Sequence, residues 1–99
     1  MMTIKVKAKF YANMREFMGK KELEIDLENS RKHTIREVIE KIDELEGKGF
    51  KKKVMGTKER PRASIRIVLN GKQIDFLQRL DTEVKDGDRV AFFPLIAAG

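Results

Sequence analysis

The sequence predicts an α+β fold, a small mixed sheet crossed by one main helix. Three observations carry this reading. Two runs near the N-terminus alternate apolar and charged residues, one run has helical periodicity behind an N-cap signal, and a second set of alternating runs is punctuated by Asn70-Gly71 and Asp86-Gly87-Asp88. Alternation with period two marks a half-buried strand, whereas recurrence at three and four marks a helix face. The chain has 99 residues, enough for one domain with a modest core.

In the first run, Thr3–Phe10, Ile4, Val6, Ala8 and Phe10 share one face and Lys5, Lys7 and Lys9 the other. Residues 11–20 form a connection in which Phe17 and Met18 pack back on the core and Gly19 breaks the segment. Residues 21–27 alternate again, with Leu23, Ile25 and Leu27 inward and Glu22, Glu24 and Asp26 outward. The acidic outer face complements the lysines of the first strand, so the two runs are expected to pair as a hairpin. Thr34 followed by Glu37 reads as a capping box that opens a helix. Ile35, Val38, Ile39, Ile42 and Leu45 form its apolar stripe, and Gly47 and Gly49 stop it. His33, just before the cap, reads as a surface residue.

Residues 50–63 are the least patterned stretch. The segment 51–62 is rich in lysine and arginine, with Phe50, Val54 and Met55 tacking it down. Residues 64–69 resume strand character with Ile65, Ile67 and Leu69 inward. Asn70-Gly71 is a two-residue hairpin turn, because both residues tolerate positive φ, and Lys72-Gln73-Ile74 is the return strand. After a loop carrying Leu77, Leu80 and Val84, Asp86-Gly87-Asp88 turns into a last strand, 89–93, with Val90 and Phe92 inward. Pro94 is expected to end regular pairing. The phenylalanines mostly read as core. The order β-β-α-β-β-β, with a right-handed crossover placing the first and last strands side by side, is the ubiquitin-like β-grasp arrangement. The domain is expected to span 1–94, with 95–99 as a flexible C-terminal tail.

Composition excludes several chemistries. There are no cysteines, so there is no disulfide, thiolate metal site or cysteine nucleophile, and the single histidine supports neither a metal cluster nor a triad. A net charge of +6 permits anionic partners. Nucleic acid is disfavoured because the basic residues are not interleaved with exposed aromatics. No apolar run resembles a leader or a membrane helix, so a cytoplasmic protein without membrane contact is expected.

Four segments resemble the MoaD/ThiS group of ubiquitin-like sulfur carriers, and the MoaD branch most. They are Ala12-Asn13-Met14-Arg15-Glu16-Phe17-Met18-Gly19, Thr34-Ile35-Arg36-Glu37-Val38, Ile67-Val68-Leu69-Asn70-Gly71-Lys72, and the closing run from Leu80 through Asp86-Gly87-Asp88-Arg89-Val90 to Phe92-Phe93-Pro94. The resemblance implies a protein co-substrate rather than an enzyme. The terminal carboxylate of Gly99 would be adenylated by a ubiquitin-activating-type enzyme that uses ATP, then converted to a thiocarboxylate. The sulfur would pass to the pterin precursor of molybdopterin, held by the large subunit of molybdopterin synthase. It implies no bound cofactor and no metal. Phe92, Pro94, Leu95, Ile96, Ala97 and Ala98 would contact the partner, although Phe92 and Leu95 read equally well as core or tail anchors. Related archaeal members also act as protein modifiers joined to lysines. The chain departs from the family in ending Ala97-Ala98-Gly99 instead of Gly-Gly. Ala98 adds a methyl and narrows φ/ψ where a partner must close around the chain, which keeps a non-conjugating binding module as a third reading.

Overall fold

The computed structural model describes residues 3–55, 61–62 and 64–94. Its elements are β1 (Thr3–Phe10), α1 (Asn13–Met18), β2 (Glu22–Glu28), β3 (His33–Thr34), α2 (Ile35–Glu46), α3 (Phe50–Val54), β4 (Ile65–Leu69), β5 (Lys72–Gln73), β6 (Glu83–Val84) and β7 (Arg89–Pro94). The main sheet has the order β2-β1-β7-β4-β5. β1 and β7 are parallel neighbours, and the other pairs are antiparallel. The α+β, β-grasp expectation holds, with the C-terminal strand at the centre of the sheet. The expected tail, 95–99, lies outside the described residues.

The core occupies the helix side of the sheet. Ile4, Val6, Ala8 and Phe10 of β1, Ile65, Ile67 and Leu69 of β4, and Val90 and Phe92 of β7 are buried against Ile35, Val38, Ile39 and Ile42 of α2. Its centre is an aromatic cluster. Phe10 and Phe92 face each other across the parallel pair with ring centroids 5.9 Å apart, and Phe50 meets both edge-on at 5.7 and 5.1 Å. On the opposite face, the expected charge complementarity is present. Lys5 lies 3.5 Å from both Glu24 and Asp26, and Lys7 lies 3.2 Å from Glu22.

The Asp-Gly-Asp turn acts as a lock. Asp86 Oδ1 accepts from the Lys5 backbone N–H at 2.8 Å, and Asp88 Oδ1 accepts from Asn70 Nδ2 at 2.9 Å. Asn70 Oδ1 in turn accepts from the Arg89 N–H at 2.9 Å. The Asn-Gly hairpin, whose residues sit at φ 49° and 88°, is thereby tied to the start of β7. These motifs hold the central strand in register.

Several expectations are corrected. The segment 11–20 contains a helix, α1, whose Met14 and Met18 are buried and whose Gly19 caps it in the left-handed region. Leu45 is 51% exposed. The inward position four residues after Ile42 is taken instead by Glu46, whose largely buried side chain pairs with Lys20 at 3.1 Å. Gly49 precedes α3 rather than ending α2. Phe76 is 81% exposed, because a 3-10 turn over Ile74–Phe76 follows β5 and only Ile74 points inward. Pro94 remains in the sheet opposite Ile65. A second small sheet, β3 with β6, was not anticipated, because two-residue strands carry no periodicity.

His33 is 4% exposed and lies in that small sheet, not on the surface. Its Nε2 donates to the Glu28 carbonyl at 2.6 Å, and its Nδ1 lies 2.9 Å from Glu37 Oε2. This arrangement also half-dissolves the capping box. Thr34 Oγ1 accepts from the Glu37 N–H at 3.4 Å, but the Glu37 carboxylate turns to His33 and to Arg31, 2.8 Å away. Burial alone would raise the Glu37 pKa, but the hydrogen bonds and charges of His33 and Arg31 outweigh it and hold the group below its ordinary value.

A carboxyl held low in the fold contributes stability above its unfolded pKa. That contribution is lost as the pH falls through the folded value. Wild type is therefore expected to lose stability as pH drops below the ordinary glutamate value of 4.5, and Glu37→Gln to lose less over the same interval. Urea midpoints measured across that window check this. Equal slopes for the two proteins would remove Glu37 from the acid limb.

Candidate functional site

The root of the C-terminal segment is the end of β7, flanked by β1 on one side and β4 on the other. Alternation along β7 divides its last residues between two surfaces. Phe92 is fully buried among Phe10 and Phe50. Its side chain is therefore core and not the partner contact it was assigned as, because even-numbered positions of β7 face α2. Phe93 points to the open face of the sheet and stacks on Tyr11, with centroids 4.4 Å apart and planes 6° from parallel. The Tyr11 N–H also donates to the Phe92 carbonyl at 3.3 Å, which extends the β1–β7 pairing to the strand end.

Around this stack lies a shallow depression of about 570 Å³ lined by Lys9, Tyr11, Val68, Arg89, Ala91 and Phe93 among others. Tyr11, Val68, Ala91 and Phe93 supply its apolar part, and Lys9 and Arg89 its cations. Arg66 stands opposite Phe93 in the register. The next residue after Tyr11, Ala12, has φ 51° and ψ −131°, a conformation costly for a residue with a Cβ. It turns the chain from β1 into α1 beside the stack. Tyr11 and Phe93 were not singled out as contact residues from the sequence. The available signal was their position, since each continues the solvent-facing parity of its strand.

On the helix side of the same strand end is a second cleft, of about 560 Å³, that includes Phe17, Lys48, Lys52, Lys53, Arg62 and Pro94. Pro94, half-buried at the end of β7, borders this cleft. Leu95, Ile96, Ala97, Ala98 and Gly99 lie outside the described residues. Among the described residues, no group of His, Asp and Glu is arranged to hold a metal, and no helix is long and apolar enough to cross a membrane.

The β-grasp fold, with its last strand β7 at the centre of the sheet, is matched by known proteins. The sequence profile of the ThiS family covers residues 8–99. The chain belongs to the ThiS family. A protein of Archaeoglobus fulgidus named "Putative sulfur carrier protein" is 32% identical over 78 residues, 79% of this chain and 84% of that protein. Small archaeal modifier protein 1 of Methanosarcina acetivorans superposes with TM-score 0.79 at 25% identity, covering 100% of both chains. The Pyrococcus furiosus protein described as "Putative molybdopterin converting factor, subunit 1" superposes with TM-score 0.71 at 35% identity, covering 94% of this chain and 99% of that one.

Proposed function

We propose that this chain is a ubiquitin-like sulfur carrier whose reactive group is the terminal carboxylate of Gly99. The observation that carries the reading is that the ThiS-family match runs through the central strand β7 to residue 99. A carboxylate is a poor electrophile. Attack of its oxygen on the α-phosphorus of ATP expels pyrophosphate and leaves an acyl adenylate. A hydrosulfide-level sulfur nucleophile then adds to the carbonyl and expels AMP, leaving the thiocarboxylate. Both steps need a partner that supplies the catalytic groups, and this chain supplies an electrophile on a thin backbone. The open-face depression, with its Tyr11–Phe93 stack and the cations Lys9 and Arg89, is the surface on which an activating enzyme of the ubiquitin-activating type docks. Aromatic residues and arginine suit such an interface.

The likeness to the Pyrococcus furiosus molybdopterin converting factor subunit supports delivery of the sulfur to a pterin precursor, with this chain as small subunit of a molybdopterin synthase. The intact mass of the protein purified from its native host tests the reading. A species heavier by one oxygen-for-sulfur exchange, localised to Gly99 by fragmentation, is expected. If incubation with ATP, the host's activating enzyme and a sulfur source leaves the mass unchanged, the reading is wrong.

A second reading rests on the likeness to small archaeal modifier protein 1, which supports attachment of Gly99 to lysines of other proteins. It predicts peptides branched at lysine with the Ala97-Ala98-Gly99 remnant in digests of host protein. A host proteome that contains the thiocarboxylate but no such branch would leave the carrier role alone.

A further inference from the structure

The cleft on the helix side of the β7 terminus has a charge pattern that the proposed function does not use. It is lined by Asn13, Phe17, Lys48, Gly49, Lys52, Lys53, Arg62, Ser64, Ile65 and Pro94, so among the described residues it carries four cations and no carboxylate. Three of these cations make contacts that do not cancel their charge. Lys48 Nζ donates to the Met18 carbonyl at 2.9 Å, Lys53 Nζ stands 5.3 Å over the Phe17 ring, and Arg62 Nε donates to the Lys52 carbonyl at 3.1 Å. Some cations elsewhere are neutralised locally. Lys5, Lys7, Lys20, Arg31 and Lys51 each pair with a carboxylate. The walls are also held in place. Phe50 and Val54 anchor α3 in the core, Met55 bridges to Pro61, and the Arg62 N–H donates to the Val54 carbonyl at 2.8 Å.

We propose that this cleft docks an acidic segment, a run of aspartates and glutamates, on the protein that receives the C-terminus. The proposal rests on the carrier reading, because the cleft abuts Pro94, from which that C-terminus departs. Charge complementarity selects the occupant, since four gathered cations with no counterion among the described residues favour a carboxylate-rich surface and speed encounter with it. The opening, about 560 Å³, suits a peptide segment better than one phosphate. The nucleotide of an adenylate is also badly placed for it. The residues 95–99 beyond Pro94 can extend about 17 Å, so a terminus threaded into a partner carries its adenylate away from the cleft.

The test is a titration of the isotope-labelled full chain, followed by amide chemical shifts, with three probes: an oligoglutamate peptide, inorganic phosphate and a single-stranded RNA oligonucleotide. The peptide is expected to shift the amides of Phe17, Lys48, Lys52, Lys53 and Ser64. The variant Lys52→Glu/Lys53→Glu is expected to bind it at least about tenfold more weakly. Lys32→Glu/Lys85→Glu makes the same change in net charge away from the cleft and is expected to weaken binding less than about threefold. Equal weakening by the two variants, or shifts spread evenly over Lys5, Lys7 and Lys9, would overturn the proposal in favour of diffuse attraction. Phosphate or RNA that shifts the same amides at lower concentration than the peptide would also overturn it. Shift mapping on the wild type decides the matter even if a variant folds poorly. Deleting Gly99 is expected to leave peptide binding unchanged, so failure of the carrier reading and failure of the cleft are separately visible.

Discussion

Phe92→Ala is expected to destabilise the domain by about 3–5 kcal/mol, the usual cost of emptying a buried phenylalanine site. The side chain is fully buried and shares contacts with Phe10 and Phe50 at 5.9 and 5.1 Å. Both partners sit on other elements, β1 and α3, so local collapse cannot fill the void. Domains of this size have about 5–15 kcal/mol in total, so the variant would be marginal at physiological temperature. Urea denaturation reads this as a fall in midpoint at unchanged slope. Phe93→Ala, one residue along, is the informative contrast. It removes only the half-buried stack on Tyr11, about 0.5–1.5 kcal/mol, and is expected to impair docking while the fold survives. If the neighbouring substitutions cost the same stability, the assignment of the two faces is wrong.

Deletion of Gly99 is expected to abolish thiocarboxylate formation while leaving the thermal midpoint unchanged. Every buried hydrophobic residue among those described lies between Ile4 and Phe92, so stability should not notice the loss. Chemistry should. The terminus retreats by about 3.3–3.6 Å, and its new last residue, Ala98, brings a Cβ to the reacting carbon. Misplacement by about 1 Å can already cost about a hundredfold in rate. Ala98→Gly is the companion variant and is expected to match or exceed wild type, because it removes the one methyl by which the chain departs from the family's Gly-Gly ending. Intact-mass measurement after incubation with ATP, activating enzyme and sulfur source reads both. Retention of sulfur loading by the Gly99-deleted chain would remove Gly99 as the residue that must carry the sulfur. Unchanged partner binding and phenotype in that chain would favour the non-conjugating binding module.

The strand β1, the hairpin with β2, the helix α2 and both glycine turns were legible because each follows from local chemistry. Alternation sets the faces of β1, Thr34 caps α2, and Asn70 and Gly71 accept positive φ at the hairpin. What failed to read did so for specific reasons. Glu37 has two possible destinations, the Thr34 cap and the His33 ring, and only the β3–β6 pairing, which buries His33, makes the second available. Leu45 and Glu46 are both at helical spacing from Ile42, and the end of the helix stripe depends on where the sheet stops beneath it. Phe76 is apolar but follows a strand too short to carry it into the core.

The candidate site divides in the same way. The sequence by itself determined that a run of apolar and small residues follows a Phe-Phe-Pro strand, that the chain follows a β-grasp pattern, and that residues 51–62 are basic. Those properties are local and survive translation into any three-dimensional arrangement. Only the tertiary structure decided that Phe92 is core while Phe93 stacks on Tyr11, and that Lys48, Lys52, Lys53 and Arg62 gather beside Pro94 without a counterion among the described residues. Both depend on contacts between residues far apart in the chain. The parallel pairing of β1 with β7 sets the first, and the packing of α3 against the strand ends sets the second.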